Sequence, residues 1–351
     1  MSWDIAFILT TDGLGTGAIY LLAGIGLVLI FSVTRVVFVP FGDVAAFAAL
    51  TLASFERGIL PPTIGLVAIL AALSVVAEVG GHLRHGRFAL IPRAVAVWGL
   101  LPLVPCVLAW AVQRGHAPAA LALVASIALV VPITPLLARL TLQPIADASV
   151  LVLLIVSLAL HFLLSGLGLL FFGPEGSRTH ALVDATWTIA DGYSVSGQTL
   201  LMVGSALVLS GLFYLFFERT LTGKALRATA VNRVGARLVG IRPKKTAMLA
   251  YTGASLLAGM VGVLISPVTT MYYDSGFILG LKAFIAAIIG GLVSFPLTAI
   301  GAVAVGLFES FASFWSGELK DVLVFGLLIP VLLLRSWLAA HAEEDDEEID
   351  E

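Results

Sequence analysis

Residues 148–172 read ASVLVLLIVSLALHFLLSGLGLLFF, a run without a single Lys, Arg, Asp or Glu. A helix needs roughly 20 consecutive apolar residues to cross the hydrocarbon core of a bilayer. In lipid no backbone amide can be left unpaired, so a spanning segment is either a helix or a strand of a closed barrel. Barrel strands are about half this length and alternate apolar with polar side chains, which this run does not. Stretches 14–34, 59–77, 117–138 and 246–271 have the same character. The expected fold class is therefore all-α, a polytopic transmembrane helical bundle.

The whole composition agrees. Of 351 residues, 60% are hydrophobic and 12% charged, with a mean hydropathy of +1.07. That charged share is about half of what soluble domains carry, and so much apolar surface does not fit inside one globular core. The net charge of −3 conceals a segregated tail: His341 to Glu351, HAEEDDEEIDE, holds eight of the 22 acidic residues. Like charges without apolar content stay solvated, so 339–351 is expected to be a disordered acidic tail on a single membrane domain, 1–338. The lone Cys106 lies inside an apolar run and excludes a disulfide framework or a cysteine metal cluster. Met1 to Thr11 lacks the basic head of a cleavable signal, and the first apolar segment is long enough to remain as a span.

Apolar runs separated by Gly, Pro and charges place helices near 15–34, 42–57, 61–80, 91–112, 118–138, 148–172, 198–217, 246–268, 277–294, 297–315 and 319–337. The second and ninth are short enough to be half-helices that enter and leave by one face, so the expectation is about 9–11 spans. With eleven spans, alternate loops share a side. One set contains fourteen of the nineteen Lys and Arg residues, the other four, and Lys282 lies within a span. Basic residues favour cytoplasmic loops, which puts the N-terminus outside and the C-terminus in the cytoplasm.

Phe217 to Lys245, FERTLTGKALRATAVNRVGARLVGIRPKK, is the one long loop on the basic side and holds eight basic residues. Lys224 to Ala230 favours a short helix, Gly235 to Gly240 a second, and Gly240 with Pro243 ends it. Two readings stand: a pair of helices that dock into a groove on another protein, or a basic loop resting on anionic lipid.

Polar residues at membrane depth are expensive, about 2.5–3.5 kcal/mol for a centred charge, so each needs a reason. Lys282 binds an acidic partner or an anionic group, or else snorkels to the outer interface. Glu309 reads as an interhelical hydrogen-bonding residue. Asp43, behind Gly42 at the start of the second helix, suits an N-cap or a pathway-lining position. His161 at mid-span has no companion and reads as an interhelical hydrogen bond rather than a metal ligand. Gly13, Gly15, Gly17, Gly24 and Gly26, like Gly253, Gly259 and Gly262, let helix backbones approach closely. No strand precedes the Gly13–Gly17 cluster, so it is no dinucleotide loop. No nucleophile–base pair, metal-ligand spacing or phosphate loop is present, and no cofactor, metal or nucleic-acid partner is expected.

The segment Gly223 to Ile241 resembles the cytoplasmic coupling loop of the branched-chain amino acid ABC importer permeases, specifically the first of the paired permeases. The likeness continues in Leu14-Gly-Thr-Gly-Ala-Ile-Tyr-Leu-Leu-Ala-Gly-Ile-Gly26, in Gly173-Pro-Glu-Gly-Ser-Arg178, and in Gly280-Leu-Lys282-Ala-Phe284, Gly290, Gly291, Ser294, Pro296, Gly301, Gly306, Glu309, Lys320 and Asp321. It covers 10–58 and about 118–338. Two departures stand out. Where the family carries an asparagine–aromatic–alanine–histidine–glycine–acidic turn, this chain has Phe38-Val-Pro-Phe41-Gly42-Asp43. Residues 59–112 look like an inserted helical hairpin around the basic loop GHLRHGRFALIPR.

The resemblance implies a permease subunit in a bacterial or archaeal cell (inner) membrane, forming half of a translocation pathway for branched-chain or related amino acids. It further implies a second permease (related or identical), two cytoplasmic ATP-binding subunits that perform the hydrolysis, and an extracytoplasmic solute-binding protein. Gly223, Lys224, Ala225, Arg227, Ala228, Gly240 and Ile241 then couple to the ATPases, and Phe41, Gly42, Asp43, Lys282 and Glu309 are pathway candidates. The competing expectation is a stand-alone secondary transporter or channel, which would want midplane carboxylates and an internal repeat.

Overall fold

The computed structural model describes residues 3–115, 118–190 and 193–333. The expected acidic tail 339–351, and the end of the last helix, lie outside the described residues.

Eleven helical segments appear at the expected places. They are α1 (Trp3–Thr34), α2 (Phe41–Glu56), α3 (Thr63–Arg84), α4 (Phe88–Arg114), α5 (Ala119–Leu142), α6 (Val150–Phe172), α7 (Gly197–Arg219), α10 (Pro243–Ile265), α11 (Ser275–Ile289), α12 (Phe295–Trp315) and α13 (Lys320–Gly326). Between α7 and α10 lie α8 (Leu221–Val231) and α9 (Arg233–Leu238). Eight of these helices, all but α2, α8, α9, α11 and α13, are long and apolar enough to cross a membrane. The protein is a multi-pass membrane protein.

Contacts between helix ends define two faces. At one, Thr246 at the start of α10 meets Thr229 of α8, and Gln143 meets Lys244. At the other, Thr179 meets Ser266 beyond the end of α10, and Ser177 pairs with Met271. We call these the loop face and the opposite face. The half-helix expectation is corrected by this frame. Glu56 and Arg57 at the end of α2 bind His180 and Ser177 on the opposite face, while Thr34 and Val36 lie beside Lys244 and Tyr251 on the loop face. Chain 35–57 therefore crosses, with an extended stretch completing what the short helix does not. The amide of Val39 in that stretch donates to Ser157 Oγ at 2.9 Å. Non-helical backbone survives at membrane depth only when buried in protein, and Val36, Phe38 and the whole of Phe41–Phe55 are buried. The short α11 likewise starts by Tyr272 and ends by Val293 and Ser294, which share a cavity wall with Arg227.

The core is built around α1 and α2. Helix α1 packs chiefly on α12, and also on α10, α7 and α11. Helix α2 lies among α10, α11, α5 and α6. The glycines permit it: a Cβ on Gly306 of α12 would stand 2.3 Å from the Gly17 amide nitrogen, and one on Gly262 of α10 would stand 1.9 Å from the Ala45 carbonyl oxygen. Outward faces of α3, α4, α6 and α7 carry exposed Val76, Leu101, Leu151, Phe162, Leu170, Leu207 and Tyr214, the surface a lipid solvent requires.

Helices α3 and α4 pack against each other. The pair is tied to the body by Thr51 with Thr63 at 2.6 Å, by an ion pair of Glu78 with Arg139 of α5, and by that guanidinium lying 5.5 Å from the Trp98 ring. One element was not expected: β1 (Thr186–Ala190) and β2 (Tyr193–Ser196) form an antiparallel ribbon in the opposite-face segment after α6.

Candidate functional site

On the loop face, the Thr220 hydroxyl accepts from the Gly223 amide at 2.9 Å and caps α8, and Asn232 accepts from the Val234 and Gly235 amides and caps α9. Thr and Asn ahead of helix-forming runs are cap signals, visible in the sequence but passed over there. Helix α8 buries Gly223, Leu226 and Thr229, and presents Lys224, Arg227 and Val231 outward. Leu226 packs with Leu29, Val33, Phe217 and Ala250, so α8 rests on α1, α7 and α10 at once. Gly223 is a packing residue rather than an exposed docking one: its Cβ would fall 2.2 Å from the Phe216 carbonyl oxygen. Ala225 and Ala228 are half-buried. Gly240 is exposed with φ +85°, which lets the chain turn from α9 into the Ile241 link. Leu221 and Leu238 are 87% and 84% exposed, and Val231, Val234 and Val239 are also open. Apolar tips among basic residues, held on a rigid base, make a surface suited to a protein groove.

Towards the opposite face, Lys282 of α11 is buried. Its Nζ donates to Glu309 Oε1 of α12 at 2.5 Å and stands in ion-pair contact with Asp321 Oδ1 of α13 at 2.8 Å, an oxygen that accepts no hydrogen bond among the described residues. Tyr20 of α1 donates to Glu309 Oε2 at 2.5 Å, and Ser310 donates to Asp12 of α1 at 3.3 Å. The snorkelling expectation for Lys282 is thus corrected: two carboxylates hold the ammonium inside, so it has no need of the interface. Glu309 does bridge helices, as expected. Tyr20, Asp12 and Asp321 as partners were missed. Only the rule that a buried charge needs a counter-charge pointed to them.

A third cluster lies where α2, α6 and the first turns of α11 meet. Asp43 Oδ2 takes a 2.8 Å hydrogen bond from His161 Nδ1, and the His161 ring stacks on Phe277 at 4.5 Å. This bears out the interhelical role of His161 and corrects the capping role of Asp43. Helix α2 has Pro40 at its N-cap and no side-chain cap; Asp43 sits in the first turn and turns to α6 instead. Phe41 fills the notch left by Gly26, and Gly42 meets Gly276 backbone to backbone. The structure thus gathers the five pathway candidates into two clusters, Phe41–Asp43 and Lys282–Glu309, both anchored on α11.

The family model described as branched-chain amino acid transport system / permease component matches residues 9–332. The chain belongs to this family. Among curated relatives, it is 38% identical over 144 residues to the high-affinity branched-chain amino acid transport system permease protein BraD of Pseudomonas aeruginosa, covering 39% of this chain and 45% of that protein. It is 29% identical over 204 residues to the permease protein LivH of the corresponding system of Escherichia coli, covering 56% and 66%. A probable branched-chain amino acid transport permease of Methanocaldococcus jannaschii is 28% identical over 218 residues, covering 59% and 68%. The chain thus spans about half to two thirds of the length of these relatives. No solved structure matches it.

Proposed function

We propose that this chain is the transmembrane permease subunit of an ATP-driven importer for branched-chain or related amino acids. It forms half of the translocation pathway, and a second permease subunit, related or identical, forms the other half. Two ATP-binding subunits dock on α8 and α9 from the cytoplasm, hydrolyse the ATP, and an extracytoplasmic solute-binding protein delivers the cargo. The family match supports the class, and the names of the relatives support the cargo. The fourteen-to-four division of basic residues supports a cytoplasmic loop face.

The observation that carries the reading is the α8–α9 handle. Lys224, Arg227, Arg237 and the apolar tips face away from the molecule, while Arg233 turns inward beside Tyr251 and the inner side of α8 is wedged on α1, α7 and α10. A motor that grips such a handle moves three helices without touching the pathway. A motion of this kind selects between helix packings only if the motor binds one of them better.

The test is uptake by membrane vesicles containing the full complex. Deleting Gly223–Gly240, or Arg227→Glu, should abolish ATP-driven uptake while membrane insertion persists. Among the described residues Arg227 pairs with exposed Glu218 at 2.9 Å, and such surface pairs contribute about 0.2–1 kcal/mol, so stability should hold. Undiminished uptake in both variants overturns the proposal.

A further inference from the structure

A cavity of about 400 Å³ opens between α1, α11, α12 and α13 above the Lys282 cluster. That is the size range of small-molecule pockets, which begin near 300 Å³. Its floor is the charged network Tyr20–Glu309–Lys282–Asp321, and Asp12 and Lys320 also line it. Its walls are mixed: Ile19, Met202, Ile265, Val268 and Ile278 supply an apolar side, and Thr16, Thr269, Ser275 and Ser313 a hydroxyl-bearing one. We infer that this cavity holds a zwitterionic α-amino acid with an apolar side chain, Lys282 exchanging the carboxylate of Asp321 for that of the ligand while Asp321 receives the ligand's ammonium.

The three charged groups are unequally held. Lys282 and Glu309 side chains are 6% and 12% exposed, and Glu309 is fixed by both Lys282 and Tyr20. Asp321 is 38% exposed, sits on the seven-residue α13 and meets the network through Lys282 alone. It is the exchangeable partner.

The exchange is selective because of what it leaves behind. A buried ammonium stripped of its counter-charge is costly, and replacing one carboxylate by another keeps Lys282 paired throughout. Asp321, once displaced, has lost its cation. A ligand carrying ammonium and carboxylate on adjacent atoms supplies both replacements in one step. A monocarboxylate strands Asp321, and a monoamine has no means of dislodging it. The apolar side of the cavity, Ile19, Met202, Ile265, Val268 and Ile278, then accepts the side chain by removing it from water.

This inference rests on the importer reading and deepens it. The test uses the complex purified with its ATP-binding subunits, without binding protein or nucleotide. Saturation-transfer NMR reads occupancy by L-leucine, by isocaproate (the carboxylate alone) and by isopentylamine (the amine alone). Leucine should bind at least roughly tenfold more tightly than either fragment. Asp321→Asn should then weaken leucine and tighten isocaproate, each roughly tenfold, because the competing carboxylate and the ammonium partner disappear together. A network that is merely structural would move both ligands in the same direction or neither.

Lys282→Met alone strands two carboxylates and can fail to fold. The neutral triple variant K282M/E309Q/D321N strands none; it should assemble as wild type and lose leucine. Leucine binding retained in that variant, absent from the wild-type complex, or unaffected by Asp321→Asn overturns the inference and leaves the importer reading standing. A chain that does not assemble with ATP-binding subunits overturns both.

Discussion

Gly42→Ala is the smallest change that should disturb the centre of the molecule. A Cβ at Gly42 would stand 1.8 Å from the Gly276 carbonyl oxygen and 2.9 Å from the Gly280 amide nitrogen, where ordinary contact begins near 3.4 Å. Both obstacles are backbone, so no side chain can rotate aside. Gly276 has no recess to offer, since its own Cβ would lie 2.5 Å from the Gly42 carbonyl. Relief requires α2 and α11 to part by about 1.6 Å. Overpacking of this kind costs about 1–3 kcal/mol. The same shift pulls Asp43 away from His161, now 2.8 Å distant, and hydrogen bonds to charged groups contribute about 1.5–3 kcal/mol. The single cysteine offers a built-in reporter: Cys106 is buried in α4, so a thiol-reactive fluorogenic dye labels it as the bundle unfolds. Gly211→Ala, on α7 with nothing within 4 Å of its Cβ position, is the control and should not lower the melting temperature, Ala being the better helix former. Gly42→Ala should lower it by several degrees. Equal melting of the two variants would refute the close approach of α2 and α11, and with it the geometry of the Asp43–His161 cluster.

Two further outcomes are expected. His161→Leu leaves the Asp43 carboxylate buried without a partner, a loss of about 3–5 kcal/mol, and Asp43→Asn in the same background should recover most of it; additive losses in a double-mutant cycle would show that the pair does not exist. Glu78→Gln releases Arg139 and loosens the α3–α4 hairpin, so Cys106 labelling should accelerate several-fold at temperatures where the rest of the bundle stays folded, and an unchanged rate would show that the hairpin is held by packing alone.

Hydropathy located the helices because lipid enforces a single requirement, and it misplaced those boundaries where polar groups are satisfied locally. Helix α1 begins at Trp3, well ahead of the expected residue 15, because Thr10 and Thr11 donate to carbonyls one turn back, Ala6 and Phe7, and Asp12 is met by Ser310. The β ribbon escaped notice for a different reason. Thr186-Trp-Thr-Ile-Ala and Tyr193-Ser-Val-Ser carry the β-branched and aromatic residues that strands favour, but a search for long apolar runs is blind to two short strands. The continuous helices expected at 91–112 and 118–138 carry internal irregularities: α4 runs through a π turn at Ala96–Leu100, and α5 passes a turn at Val131–Pro132 before another π turn at Ala138–Leu142.

The site was half legible, for a reason that extends to other membrane proteins. Each costly residue could be flagged from sequence alone, since a charge in an apolar run requires compensation. Partner choice could not be read, because it depends on depth: Lys282 meets residues 27 and 39 positions away, Tyr20 meets Glu309 across 289, and Asp43 meets His161 across 118. Depth, however, can be approximated from the spans. Glu309 lies two turns before the opposite-face end of α12, Lys282 two turns into α11 from that face, and Asp321 in the first turn of α13. A buried charge needs a counter-charge within reach, so opposite charges at similar levels are the first candidates. Matching signs by level assigns Lys282 to Glu309 before any contact is known.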